Sequence, residues 1–140
     1  MNTVLNSHRT TILVIEDDET VLRVVSRIIV HAGFHVLPSS SAGEALKIGN
    51  EYRGTIQLLL SDIVMPDMSG PEIAKKMKIL RPDMKVILMS GYPDGALSLL
   101  NYGWHFLQKP FLPRNLISSI KEVLASEVAG EGFYRPDTQN

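Results

Sequence analysis

Five short apolar runs recur along this chain, and each stops at a polar or charged residue before helical periodicity takes over. Thr11-Ile12-Leu13-Val14-Ile15 ends at Glu16-Asp17-Asp18-Glu19. Phe34-His35-Val36-Leu37 is closed by Pro38 and a serine run. Residues 56–61 end at Asp62, Val86-Ile87-Leu88-Met89 at Ser90-Gly91, and Trp104-His105-Phe106-Leu107 at Gln108-Lys109-Pro110. Runs of this length without polar alternation predict strands covered on both faces. Strands that alternate with helices need crossover connections, hence a parallel sheet. Right-handed crossovers then give a doubly wound sheet with helices on both faces.

The helices between the runs are legible in the same way. Val21, Leu22, Val24, Val25, Ile28 and Ile29 form one broad apolar face, with Arg23 and Arg27 on the other side. Asp18 is suited to cap that helix and Gly33 to end it. A second helix starts at Ser41 or the serine before it, turns Ala42, Ala45 and Leu46 inward, and is predicted to stop or loosen at Gly49-Asn50. A third has Pro71 in its first turn, with Ile73, Ala74, Met77 and Leu80 inward and Lys75, Lys76 and Lys78 in solvent. The last covers 112–126, with Leu116, Ile117, Ile120, Val123 and Leu124 inward. Between Ser90 and Lys109 the stretch is short and rich in glycine, proline and asparagine, which predicts a truncated or mobile fourth helix over 96–101.

The 140 residues fit one domain, read here as 11–127 with tails at 1–10 and 128–140. The net charge of −1 offers no basic field for direct binding of nucleic acid or anionic lipid. The absence of cysteine rules out a disulfide framework and a thiolate site. No apolar run reaches membrane-spanning length and the first ten residues lack a signal-peptide core, so the expected setting is the cytoplasm, with no membrane partner.

In an open α/β sheet, ligands bind beyond the carboxyl ends of the strands. Those ends carry Glu16 and Asp17, then Asp62, Ser90 and Lys109. Alone, Asp62 reads equally as a helix cap or turn former, and Glu16-Asp17-Asp18 as an acid cluster favoured by a helix dipole. Together they make a different set. Crowded carboxylates raise one another's pKa values, and a cation must offset them. Lys109 supplies one charge, and all-oxygen ligands suit Mg²⁺. A strand-end carboxylate can attack phosphorus, while lysine, metal and a serine hydroxyl stabilise the equatorial oxygens.

Four separated segments carry a resemblance. They are Ile12-Leu13-Val14-Ile15-Glu16-Asp17-Asp18, Leu59-Leu60-Ser61-Asp62-Ile63-Val64-Met65-Pro66-Asp67-Met68-Ser69-Gly70, Met89-Ser90-Gly91, and Phe106-Leu107-Gln108-Lys109-Pro110-Phe111. In this order, over roughly residues 10–127, the chain resembles a receiver domain of two-component response regulators, most like the receivers of hybrid histidine kinases. The resemblance implies a flavodoxin-like five-stranded parallel sheet of order 2-1-3-4-5, with two helices on one face and three on the other. It implies that Asp62 is the phosphoacceptor. Mg²⁺ would then be held by Asp17, Asp62 and the Val64 backbone carbonyl, with Glu16 acting through water. It further implies that Ser90 and Lys109 bind the phosphoryl group, and that Ser90 and Phe106 form a switch. The implied partner is a histidine kinase or histidine phosphotransfer protein, and the implied role is signalling through an aspartyl phosphate rather than turnover of a substrate. Phe106 lacks the hydroxyl that tyrosine would offer at that place.

From the residues themselves, Val64 is apolar and Tyr92 bulky, and both are expected to flank the phosphoryl group. Neither activates water well, which predicts slow autodephosphorylation. Competing readings are a phosphorylation-independent interaction module of the same fold, a receiver cut from a larger hybrid kinase or DNA-binding regulator, and a metal-dependent phosphohydrolase. The last should carry a second aspartate two residues after Asp62, where this chain has Val64.

Overall fold

Every apolar run is a strand in the three-dimensional structure, a computed structural model that describes residues 9–92 and 103–126. In chain order the elements are β1 (Thr11–Ile15), α1 (Glu19–His31), β2 (His35–Ser39), α2 (Ala42–Glu51), β3 (Leu58–Asp62), α3 (Gly70–Leu80), β4 (Lys85–Ser90), β5 (His105–Gln108) and α4 (Pro113–Ala125). The sheet runs β2-β1-β3-β4-β5 with every pair parallel, the flavodoxin-like order. The helix expected over 96–101 and the tails at 1–8 and 128–140 lie outside the described residues.

Strand periodicity sorts the core into two layers. Ile12, Val14, Leu58, Leu60, Ile87 and Met89 face α1 and α4, where Val25, Ile29, Leu116 and Ile120 meet them. Leu13, Ile15, Leu59, Val86 and Leu88 face α2 and α3, where Ala42, Ala45, Ile73, Ala74 and Met77 meet them. Each large aliphatic side chain buried in this way contributes about 1.5–3 kcal/mol. The central strands β1 and β3 are buried at every position, because a helix layer covers each face. No helix among the described residues is long and apolar enough to cross a membrane.

Helix ends follow local chemistry. The Asp18 carboxylate accepts from the N–H groups of Thr20 (2.9 Å) and Val21 (3.1 Å), and Gly33, at φ 101°, follows the C-cap Ala32. Ser41 caps α2, and Ser69 with Glu72 closes a reciprocal capping box on α3.

Five details differ from the sequence reading. Val24, expected on the apolar face of α1, is exposed. Pro38 does not close β2 but lies inside it, opposite Val14. β2 is an edge strand: the His35 N–H donates to Thr10 and the Ser39 carbonyl accepts from Glu16, so by alternation the nitrogen of Pro38 faces the open edge, where no donor is needed. Gly49 does not stop α2, which runs to Glu51. A Cβ there would lie 2.1 Å from the Met77 Sδ, so the glycine admits α3 against α2. Leu80, the last residue of α3, is exposed rather than inward. Lys78 is half-buried rather than solvated, its ammonium donating to the carbonyls of Pro82 (2.8 Å) and Met84 (2.7 Å).

Candidate functional site

Parallel strands deliver the polar residues that end them to one rim. Asp62 is the last residue of β3 and Ser90 the last of β4, while Glu16 and Lys109 directly follow β1 and β5. Backbone bonds lock these ends in register. The Glu16 N–H donates to Ser39 (3.0 Å), the Ile63 N–H to Met89 (2.9 Å), and the Lys109 N–H to Ser90 (2.8 Å).

Three side chains meet there. The Lys109 Nζ lies 2.7 Å from Asp62 Oδ1 and 2.9 Å from Glu16 Oε1. The other Glu16 oxygen accepts from the Asp18 N–H at 3.1 Å. Glu16 and Asp62 are buried, and Asp17 is exposed beside them. Glu16, Asp17 and Asp62 can each offer a carboxylate oxygen within 4.8 Å of the other two.

Burial and charge conflict at this rim. Burial pushes the Asp62 carboxyl up, and hydrogen bonding and charge from Glu16 push the same way, so it titrates at about 7 despite Lys109. Glu16 goes the other way. Burial opposes its ionisation, but hydrogen bonds with Asp62, Lys109 and the Asp18 N–H outweigh that and hold it below the usual range. Burial also opposes the Lys109 charge, and its bonds to Asp62 and Glu16 outweigh that and hold the ammonium above its usual range. The mutual raising expected of crowded carboxylates therefore falls on Asp62 alone. The two carboxylates titrate as a pair, not as separate acids.

The remaining residues singled out in the sequence lie around this set. Ser90 is buried, and its hydroxyl accepts from the Tyr92 N–H at 2.9 Å. Phe106 is half-buried on β5, opposite Leu88, and packs on the core layer that faces α2 and α3. Val64 and Tyr92 are 66% and 69% exposed, which places both side chains at the solvent boundary.

Two neighbours of Asp62 escaped the sequence reading as parts of the site. The Ser61 hydroxyl, fully buried, donates to the Asp62 carbonyl at 2.9 Å. Gly70, the first residue of α3, packs directly on that carbonyl. A glycine just inside a capped helix start was the available signal for the second. A serine within an apolar run was the signal for the first.

Chemically, the rim holds a carboxyl poised between its two protonation states, a fixed ammonium against it, and further oxygen donors for a hard cation. Comparison with known proteins bears on this arrangement. The family model for the response regulator receiver domain matches residues 12–121. The sensor kinase CckA of Brucella abortus is 33% identical over 120 residues, 84% of this chain but 13% of that protein, so the chain spans a small part of that relative. The response regulator receiver protein CpdR of the same organism is 34% identical over 116 residues, 81% of this chain and 95% of its own length. Among solved structures, the receiver domain of the hybrid histidine kinase CckA superposes with a TM-score of 0.71 at 35% identity, covering 81% of this chain and 98% of that one. A CheY-like receiver domain protein from Methanospirillum hungatei gives 0.74 at 35% identity, covering 83% and 94%.

Proposed function

This chain belongs to the response regulator receiver domain family, whose members are signalling domains rather than enzymes that turn over a substrate, and from that membership we propose that Asp62 accepts a phosphoryl group from the phosphohistidine of a histidine kinase or histidine phosphotransfer protein in the cytoplasm. The receiver unit is taken as residues 11–127. One observation carries the reading: Lys109 bridges Asp62 and Glu16 at a rim where three strand ends converge and where Asp17 adds a third carboxylate. Likeness to the CckA receiver supports a phosphohistidine donor.

An Asp62 carboxylate oxygen forms the new P–O bond as the P–N bond of the phosphohistidine breaks, and the imidazole leaves with the bonding pair. Lys109, already against Asp62, neutralises charge on the phosphoryl oxygens. The Ser90 hydroxyl donates to the same group. Its displacement from the Tyr92 N–H opens space for Phe106, a two-state element that the phosphoryl group biases.

The three carboxylates form a hard, all-oxygen donor set that fits Mg²⁺. Asp17, Asp62 and the Val64 carbonyl would hold the ion directly and Glu16 through water. Bound there, Mg²⁺ would supply positive charge that favours ionised Asp62 and offsets charge on the transferring group. Val64 and Tyr92 give no group that activates water, so the acyl phosphate is long-lived.

Incubation with a small acyl phosphate and Mg²⁺, read by intact mass, tests the reading. A single hydroxylamine-labile phosphoryl group, absent from Asp62→Asn, is the expected result. No modification of the parent under any phosphodonor would overturn it.

A further inference from the structure

The charged rim fixes the Asp62 side chain, but two uncharged residues fix its backbone. β3 ends at Asp62, the chain loops through 63–69, and it returns as α3 at Gly70. There the Gly70 N–H donates to the Ile63 carbonyl at 2.7 Å, while the Ile63 N–H is held by Met89. A Cβ on Gly70 would lie 2.2 Å from the Asp62 carbonyl oxygen and 3.0 Å from both the Asp62 carbonyl carbon and the Ile63 Cα. All three are backbone atoms, so no rotamer change relieves the clash. From the neighbouring residue, the buried Ser61 hydroxyl donates to the same Asp62 carbonyl. The α3 end of this contact does not yield either. Its first turn is held by the Ser69–Glu72 capping box, and Ile73, Ala74 and Met77 anchor it in the core.

We propose that Gly70 and Ser61 are positioning residues for the acceptor carboxylate. Together they set the peptide that follows Asp62, and so the distance and direction of its side chain toward Lys109 and the incoming phosphorus. The inference rests on the phosphoacceptor reading and names the residues that preorganise it. A side chain at position 70 displaces the Asp62 peptide by roughly 1 Å to restore ordinary contact. A misplacement of that size costs on the order of 100-fold in rate at a reacting centre.

The test compares the parent with Gly70→Ala, Ser61→Ala and a control, Gly43→Ala. Gly43 lies exposed on α2 with nothing within 4 Å of an added Cβ. For each protein the folded fraction is fixed by urea denaturation, and labelling by a small acyl phosphate is followed against donor concentration. A separate Mg²⁺ titration without donor is read by thermal shift. Gly70→Ala is expected to lower the maximal labelling rate per folded molecule about 100-fold at an unchanged half-saturating donor concentration. Ser61→Ala lowers it about tenfold, both variants need more Mg²⁺ for half the thermal shift, and Gly43→Ala matches the parent.

A role in packing alone would lower the urea midpoint and leave the rate per folded molecule and the Mg²⁺ midpoint at the parent values. That result for a folded Gly70→Ala overturns the proposal. Should Gly70→Ala fail to fold, Ser61→Ala decides it, and parental rate and Mg²⁺ midpoint in that variant overturn it. Should the parent itself take no phosphoryl group, the phosphoacceptor reading fails. The Mg²⁺ midpoints of parent and Ser61→Ala then still decide whether the Asp62 backbone positions its carboxylate.

Discussion

At the amino-terminal end of the sheet, Arg81 donates to the carbonyls of Gly49, Tyr52 and Gly54 and lies 6.0 Å from the centre of the Tyr52 ring. Lys85 donates there to the carbonyls of Leu124 and Ser126. At the carboxyl-terminal end, Lys109 donates to two carboxylates, one of which titrates at about 7. The first pole sets its cations against backbone carbonyls, so loop, helix end and strand start are joined by donors that each meet an acceptor. The second crowds more negative charge than its one bridging lysine balances. Satisfied polar groups rigidify a fold, whereas an unresolved charge conflict is relieved by a ligand. The difference assigns structure to one pole and chemistry to the other, and it can be broken by exchanging the consequences of mutation.

The largest effect is expected at the rim. Lys109→Met should slow labelling of Asp62 about 100-fold, the usual cost of removing one donor from a developing anion, measured as a single-turnover rate by intact mass. At the other pole, Arg81→Ala should lower unfolding free energy by about 2 kcal/mol, after discounting its partly exposed hydrogen bonds. Urea denaturation reads that loss, and the labelling rate per folded molecule should stay at the parent value. A slowed rate would merge the two poles.

Asp62→Asn sharpens the comparison in the opposite direction, because it should stabilise the protein. An acid with a raised folded pKa favours the folded state while protonated. That contribution is complete below about 3.8 and is lost as pH rises through about 7. Glu16, held low, loses its contribution only at more acid pH, and Lys109, held high, only at alkaline pH. Metal-free parent should therefore weaken between pH 5 and 8 by about 2–3 kcal/mol relative to Asp62→Asn, the part of the displacement that falls above pH 5. Urea midpoints at the two pH values check this, and Mg²⁺ should restore the parent but not the variant. The smallest effect is at the solvent boundary. Val64→Asn combined with Tyr92→Ala should speed loss of the phosphoryl group about tenfold, equivalent to about 1.4 kcal/mol, followed as decay of the labelled mass.

What the sequence disclosed follows the range of the forces involved. β1, β3 and β4 were legible because both faces are buried, which leaves an uninterrupted apolar run. Asp18 and Ser41 were legible as caps because a cap is a local hydrogen bond. Pro38 was misread because its tolerance depends on β2 being an edge, and no local signal reports that. Gly49 was misread for a similar reason: a glycine that ends a helix and one that admits another helix look alike along the chain. At the rim, the residue types and their strand-end placement were readable. The contact of Glu16 with Lys109 and the seat of Asp62 on Ser61 and Gly70 were not, since they arise only when distant segments close on one another.

Site mapping of the labelled residue tests the central claim most directly. Borohydride converts an aspartyl phosphate to homoserine, and peptide mass spectrometry then locates it. The account predicts homoserine at position 62 and nowhere else after treatment with a small acyl phosphate and Mg²⁺. Homoserine at another aspartate, or an unmodified Asp62 in folded and Mg²⁺-saturated protein, would contradict it.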